Sequence, residues 1–371
     1  MSKNGKKIKI GYIINFLENG GPTRVLQNII RELDLDKYNI TIITLTVGNN
    51  KNIINEFRKK GIVVYEYNIN KEMSSLLKNK KMIIRDIINM NFDIIHVHGI
   101  VGASIISSRK IMTKKIATIH NNMFEDYKYT YGSVKGMIYA IYHLHCLRKF
   151  DKVISCSRTS YLCIKRFLSN SSFIRNGIYI NKEKIHCKNK EQKRKELQIG
   201  SKDYIYIYMG VLNKRKNVVE LVKLFNGNLK ENEYLVIIGD GGQKKEIIKT
   251  IKSKNIKLIG FKTDVLDYLD AADIYVSNST SEGFSISVIE ALAMGKKCFL
   301  SDINSHKECF DIDKKYYIGE SFNNKTFLQK KECLIKNTNK DCASIIEFQE
   351  KYLSSKAMGD EYKKVYCELV K

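Results

Sequence analysis

The sequence predicts an α/β protein built from two doubly wound, parallel-sheet domains of similar size. Two observations predict it. Short apolar, β-branched runs alternate with longer amphipathic segments, and this alternation occurs twice, on either side of a polar stretch near residue 190. The length agrees, since 371 residues at roughly 150 per domain make two domains or three.

Ile8–Phe16 reads as a buried strand, and Thr23–Leu33 carries Val25, Leu26, Ile29, Ile30 and Leu33 at helical spacing. Ile40–Val47 is a second strand. Ile62–Tyr67, Ile94–Val97, Ile116–Ile119 and Lys152–Ser155 are further strands, with helical patterns such as Asn52–Lys60 and Met82–Met90 between them. Strands that are apolar almost throughout are covered on both faces, as in a parallel sheet. The first domain is therefore expected at residues 1–180. Residues 181–200 are polar and charged, and read as a linker with a short helix. The second domain, 201–342, repeats the alternation. Its strands are Tyr204–Met209, Tyr234–Ile238, Ile256–Ile259, Ile274–Val276 and Lys297–Ser301. Its helices are Val218–Phe225, Gln243–Lys252, Val265–Leu269 and Ser285–Met294. Residues 343–371 read as C-terminal amphipathic helices able to cross back to the first domain.

Composition removes several function classes. No run of 18 apolar residues exists, so no spanning helix is expected, and the polar start of the chain has no apolar signal-peptide core. Nine cysteines without a CxxC pair make neither a disulfide framework nor a zinc site, so a cytoplasmic chain with reduced thiols is expected. Lys+Arg of 64 against Asp+Glu of 39 gives +25. Only 11 of the cations are Arg, and the Lys, Asn and Ile excess with one Pro and no Trp matches A/T-rich codon usage. A basic face toward an anionic membrane or substrate is the other reading, and no nucleic-acid motif supports binding of DNA or RNA.

The stretch Ala271–Asp302 carries the most chemistry. A strand ends at Ser277, a polar loop follows, and Glu282-Gly283-Phe284-Ser285 leads into a helix that Ser285 can cap and Gly295 can end. Backbone N–H groups at Phe284, Ser285 and Ile286, with the helix dipole, suit an anion at the carboxyl end of a strand. Glu290, eight residues after Glu282, can accept two hydroxyl hydrogen bonds, as a ribose diol requires. His96 and His98 share a strand face, but no third ligand stands at metal spacing. Phe124–Phe150 interleaves tyrosines with Lys128, Lys135, Arg148 and Lys149, a composition that suits a membrane interface or an ordinary helix packed on the sheet.

The Glu-x7-Glu arrangement, with DIYVSNS before it and EALAMG after it, resembles the signature of retaining GT-B glycosyltransferases of group 1, family GT4. Gly20-Gly21 with Thr23-Arg24, Asp93–His98, Ala117–His120, Val153–Ser157, Arg175–Ile178, Gly210–Asn217 and Val236–Gly241 match the family in order. The resemblance implies two Rossmann-like domains facing each other across a cleft, the second binding a nucleotide sugar, by expectation a UDP-sugar, and the first binding the acceptor. It implies that Lys216 holds the donor phosphates, Glu290 the ribose, and Glu282 a place beside the transferred sugar. The family arginine after the motif glycine is here Val211, so either Arg215 contributes or Lys216 and the helix N-terminus suffice. Gly239 and Asp240 line the nucleotide site or form a plain turn, and the strand end at Phe261 supplies base contacts. His120 contacts the donor sugar or is a core histidine. Gly20, Gly21 and Thr23 form an acceptor or phosphate loop. No cofactor and no metal are expected. Front-face transfer with retention is implied, to a hydroxyl of a bacterial surface glycan or lipid-linked precursor, at the inner face of the cell membrane. A nucleotide-sugar epimerase and a non-enzymatic basic membrane- or nucleic-acid-binding protein are the competing functions.

Overall fold

The computed structural model describes residues 7–70, 73–181, 188–337 and 342–371. It divides into two compact units, Met1–Gly177 with Ser355–Lys371, and Ile178–Ser354.

The first unit holds a seven-stranded parallel sheet: β1 (Ile8–Ile14), β2 (Tyr38–Thr46), β3 (Val63–Ile69), β4 (Ile94–His98), β5 (Lys114–Ile119), β6 (Lys152–Ser155) and β7 (Ser171–Phe173). Their spatial order is β3-β2-β1-β4-β5-β6-β7. Helices α1 (Gly21–Arg31), α2 (Lys51–Lys59), α3 (Met73–Met90), α4 (Ile100–Ile106), α5 (Met123–Tyr131), α6 (Ser133–Leu147) and α7 (Arg158–Ile164) connect the strands. Ile13, Ile43, Val97, Ile106 and Leu147 are fully buried in one core, which is why the strands read as continuous apolar runs. The order reverses between β1 and β4, so the carboxyl ends of these strands border a crevice.

The second unit repeats the plan. After α8 (Lys188–Glu196) come β8 (Tyr204–Met209), α9 (Val218–Phe225), β9 (Glu233–Ile238), α10 (Lys244–Thr250), β10 (Ile256–Gly260), α11 (Val265–Ala271) and β11 (Ile274–Ser277). Then follow α12 (Ile286–Ala293), β12 (Lys297–Ser301), α13 (Asn304–Phe310), β13 (Gly319–Phe322), α14 (Phe327–Lys336) and α15 (Cys342–Tyr352). The parallel sheet runs β10-β9-β8-β11-β12-β13 and reverses between β8 and β11. Tyr206, Phe225, Phe299, Phe322 and Phe327 fill its core.

Two further features bear on the domain organisation. The 181–200 stretch contains the short helix α8, which packs on α11, and residues 182–187 lie outside the described residues. A run of charge conceals one buried arginine. Arg194 Nε donates to the Ala271 carbonyl at 3.0 Å, and its guanidinium reaches Asp273 Oδ2 at 2.9 Å. The 343–371 segment divides between the units. α15 buries Ile345 and Phe348 and stays with the second unit, whereas α16 (Ser355–Leu369) belongs to the first.

Candidate active site

The site is built where β8 and β11 end, at the reversal of the second sheet. β8 gives way to Gly210, and β9 ends at Gly239. A Cβ on Gly239, whose φ is +148°, would stand 1.8 Å from the Gly210 carbonyl oxygen, so only glycine fits. The two turns are stitched together: Leu212 N–H donates to the Asp240 carbonyl at 2.9 Å, and Gln243 N–H to the Leu212 carbonyl at 3.0 Å. Asn213 then starts a 3-10 turn over Lys214–Lys216, its Oδ1 accepting from Lys216 N–H at 3.0 Å, and Asn217 closes it with φ +52°. This turn aims two cations at the loop after β11.

There they meet Glu282. Lys216 Nζ bonds Glu282 Oε1, and Arg215 Nη1 lies 3.1 Å from Oε2 and 3.0 Å from the Ser281 carbonyl. Ser279 Oγ donates to Oε1 at 2.7 Å, and Thr280 N–H donates to the Arg215 carbonyl at 2.9 Å. Burial alone would push the Glu282 carboxyl up. Lys216 and Arg215 outweigh that and hold it at about 2. One buried carboxylate between two cations leaves a net positive charge of one, beside the amino end of α12. Glu290 lies buried on that helix. Ser285 occupies the N-cap position without a side-chain cap bond, contrary to the capping expected of it. Gly283, Phe284 and Ile286 follow Glu282 into the helix, with Phe284 buried. Gly295, at φ +67°, ends it as expected.

Around this cluster lie partners that no local pattern announced. Ser301 Oγ donates to the Ser279 carbonyl at 2.6 Å. His306 Nδ1 is 3.0 Å from the Ser301 carbonyl, which can only accept, so Nδ1 carries the proton. Burial holds the His306 pKa down at about 4, against an upward pull from Glu282. Tyr208, buried, donates its hydroxyl to the Val211 carbonyl at 3.1 Å while the Val211 side chain is exposed. Asp240 is committed locally, to Gly241 N–H and Lys244 Nζ, both at 2.7 Å. Phe261 is exposed just beyond β10.

Gly20, Gly21, Thr23 and His120 belong to the first unit. Gly20 caps α1 in an extended conformation, and Thr23 is buried, its Oγ1 accepting from Glu18 N–H at 3.3 Å. A Cβ at Gly21 would meet nothing within 4 Å, so the fold itself makes no demand for glycine there. His120 is half-buried and stacks on His98, its Nε2 being 2.9 Å from His98 Nδ1. Burial lowers its pKa to about 4, so the ring is neutral near pH 7. His96 is a satisfied core histidine: Nδ1 pairs with the Tyr366 hydroxyl at 2.8 Å and Nε2 with Thr118 Oγ1 at 2.7 Å. Among the described residues no three His, Cys, Asp or Glu side chains are grouped to hold a metal ion.

Comparison with known proteins identifies the family. The pattern of the glycosyl transferases group 1 matches residues 189–352, and that of glycosyltransferase family 4 matches residues 19–182. The chain is 27% identical over 318 residues to an O-antigen biosynthesis glycosyltransferase, WclY, of Escherichia coli, covering 82% of this chain and 83% of that one. It is 24% identical over 327 residues to the E. coli UDP-Gal:alpha-D-GlcNAc-diphosphoundecaprenol alpha-1,3-galactosyltransferase, covering 82% of each. Among solved structures, Anabaena Alr3699/HepE in complex with UDP-glucose superposes with a TM-score of 0.79 at 14% identity, over 97% of this chain and all of that one. A glycosyltransferase from Rickettsia africae superposes with a TM-score of 0.74 at 19% identity, over 98% and 99%. With two parallel α/β units, and both halves of the chain matched, this protein is a GT-B glycosyltransferase of the group 1, family 4 type.

Proposed function

We propose that this enzyme moves a hexose, with retention, from a UDP-sugar to a hydroxyl of a lipid-linked precursor of a bacterial surface glycan. The observation that carries the reading is the Lys216–Glu282–Arg215 cluster at the switch point of the second sheet. A departing nucleoside diphosphate needs fixed positive charge in a water-poor site, and two cations on one preorganised turn supply it. Arg215 takes the part left open by Val211. The amino end of α12 adds backbone donors, and Glu290 is the carboxylate for the ribose diol. Gly239, Asp240 and Phe261 border the nucleotide, Gly20, Gly21 and Thr23 the phosphate or acceptor, and His120 the sugar.

The bond from the anomeric carbon to the diphosphate oxygen breaks as the acceptor oxygen bonds the same face of that carbon. The acceptor proton passes to the departing diphosphate oxygen. Lys216 and Arg215 neutralise the charge that develops, so the reaction needs no metal and persists in excess chelator. Two named features of relatives support the substrates: one E. coli relative is named for a diphosphoundecaprenol-borne acceptor, and HepE was crystallised with UDP-glucose. An acceptor on a lipid places the enzyme at the membrane face that carries it.

A thermal-shift panel of UDP-, GDP- and ADP-sugars tests the donor. A ligand at 100 times its Kd adds about 2.7 kcal/mol of stability, and the UDP-sugars should be the ones that do so. Lys216→Ala and Glu290→Ala should each lower transfer at least ~10-fold, a loss of about 1.4 kcal/mol in the transition state. Near-wild-type transfer by both would sink the site.

A further inference from the structure

The polar groups behind Glu282 are ordered in one direction. Ser277, Ser279, Ser301 and His306 are all buried. The Glu282 carboxylate is ionised and only accepts, so the Ser279 hydroxyl gives its proton to Oε1 at 2.7 Å. The Ser277 hydroxyl, 3.2 Å from Ser279 Oγ, is then the donor of that pair. Ser301 Oγ donates to the Ser279 carbonyl at 2.6 Å, which leaves it only lone pairs for the His306 Nδ1–H, 3.1 Å away. The same N–H lies 3.0 Å from the Ser301 carbonyl. Each of these protons points toward the loop that carries Glu282.

That loop needs a footing. From Asn278 to Ser285 the backbone is in neither strand nor helix. β11, which leads into it, lies between β8 and β12, and each neighbour sends one bond to the start of the loop. From the β8 side the Arg215 carbonyl accepts from Thr280 N–H, and from the β12 side Ser301 Oγ donates to the Ser279 carbonyl. His306 fixes the second of these. The turn after β12 is tight, with Ile303 N–H on the Ser301 carbonyl at 2.9 Å and His306 N–H on the Ile303 carbonyl at 3.0 Å. It brings the His306 ring back onto Ser301. Burial keeps the ring neutral near pH 7, so it donates without placing a further cation beside Lys216 and Arg215.

We infer that His306 is a positioning residue of the donor site, acting through Ser301 and Ser279 to hold the Glu282 carboxylate between Lys216 and Arg215. The inference rests on the reading of that cluster as the donor site and adds the residue that keeps it in register. The two cations meet the departing diphosphate correctly only while Glu282 sets their direction. A misplacement of about 1 Å in such a site costs up to about 100-fold in rate. The ring has a second nitrogen, Nε2, which is buried and meets no partner among the described residues. Asn and Gln separate the two nitrogens, because the Asn amide reaches the place of Nδ1 and the Gln amide the place of Nε2.

UDP release is followed with UDP-glucose, UDP-galactose and UDP-N-acetylglucosamine, water serving as acceptor, and the fastest donor is carried into the variants. His306→Phe and Ser301→Ala should each lower kcat roughly 10- to 100-fold while the donor KM stays within about threefold. The double variant should be no slower than the slower single one, since both act in one chain of bonds. His306→Asn should restore kcat to within about threefold of wild type, and His306→Gln should not. In protein without nucleotide, amide exchange in the 277–285 peptide should quicken about 10-fold with His306→Phe or Ser301→Ala and stay at the wild-type rate with His306→Asn. Where His306→Phe fails to fold, Ser301→Ala carries the same comparison. Wild-type kcat in both of these variants, losses that multiply in the double variant, or unchanged exchange would overturn the inference. Rescue by His306→Gln in place of His306→Asn would overturn it in favour of a direct contact from Nε2. Quickened exchange in a protein that turns over none of the three UDP-sugars would instead sink the proposed donor and leave the brace on Glu282 standing.

Discussion

Lys216, Arg215 and Glu282 show how a short sequence segment and a distant one share one charge. Either cation alone leaves the buried carboxylate paired, and loss of both leaves it inside the protein with no cation and only the Ser279 hydroxyl donating to it. Lys216→Ala and Arg215→Ala should therefore destabilise non-additively in urea melts, the double variant losing about 1–3 kcal/mol more than the sum. Additivity within about 0.5 kcal/mol would show that the two cations do not share Glu282. Glu282 itself stood out in the sequence because its loop, turn glycine and following helix are contiguous, and local chemistry is legible. Lys216 lies 66 residues away and reached the same reading only through family resemblance. Ser301 joins the cluster across neighbouring strands, through its Oγ donated to the Ser279 carbonyl, and brings His306 with it; strand adjacency is not written in spacing along the chain.

The elements with strong periodicity were readable to within a residue or two. α9, β8, β12 and β6 stand where the apolar pattern puts them. The edge strands β7 and β13 escaped notice because they are short and only partly covered, so their residues need not be apolar. α16 carries the element-scale surprise. Tyr362 and Tyr366, one turn apart, reach over the first sheet: Tyr362 meets Thr118 Oγ1 at 2.9 Å, and Tyr366 meets the Tyr12 hydroxyl at 2.9 Å and His96. Tyr366→Phe leaves both Tyr12 and His96 short of a partner in the core and should cost about 2–6 kcal/mol, at about 1–3 for each group left unsatisfied. Tyr352→Phe, which removes a part-exposed bond to Asp313, should cost under about 1 kcal/mol. Equal losses in thermal or urea unfolding would show that α16 is held by area alone.

At the scale of the molecule, buried histidines set the acid limit. Burial holds His96 at about 3, His120, His143 and His306 at about 4, and His98 well below its usual value. The unfolded chain protonates these rings near pH 6.5 while the native rings stay neutral. Their contribution is complete above that pH and is lost as pH falls toward 4, at about 1.4 kcal/mol per ring for each pH unit. Protonating these rings draws on a domain stability of only about 5–15 kcal/mol. Four of the five lie in the first unit. Glu282, in the second, is a depressed carboxylate whose contribution holds above pH 4.5 and fades only as pH falls toward 2. Melting followed by circular dichroism from pH 7.5 to 4.5 should fall steeply below pH 6.5, with exchange-labelled peptides of the first unit opening first. A flat melting temperature down to pH 5 would contradict the burial of these rings. By itself the sequence determined the class of fold, two apolar parallel sheets, the family, and the local Glu282–Glu290 helix, because periodicity and turn chemistry act over a few residues. Tertiary structure alone decided which cations reach Glu282, that α8 is docked by Arg194, and that α16 closes the first unit. Those outcomes depend on which surfaces meet once the chain has folded, and burial and pairing between distant segments leave no period in the sequence.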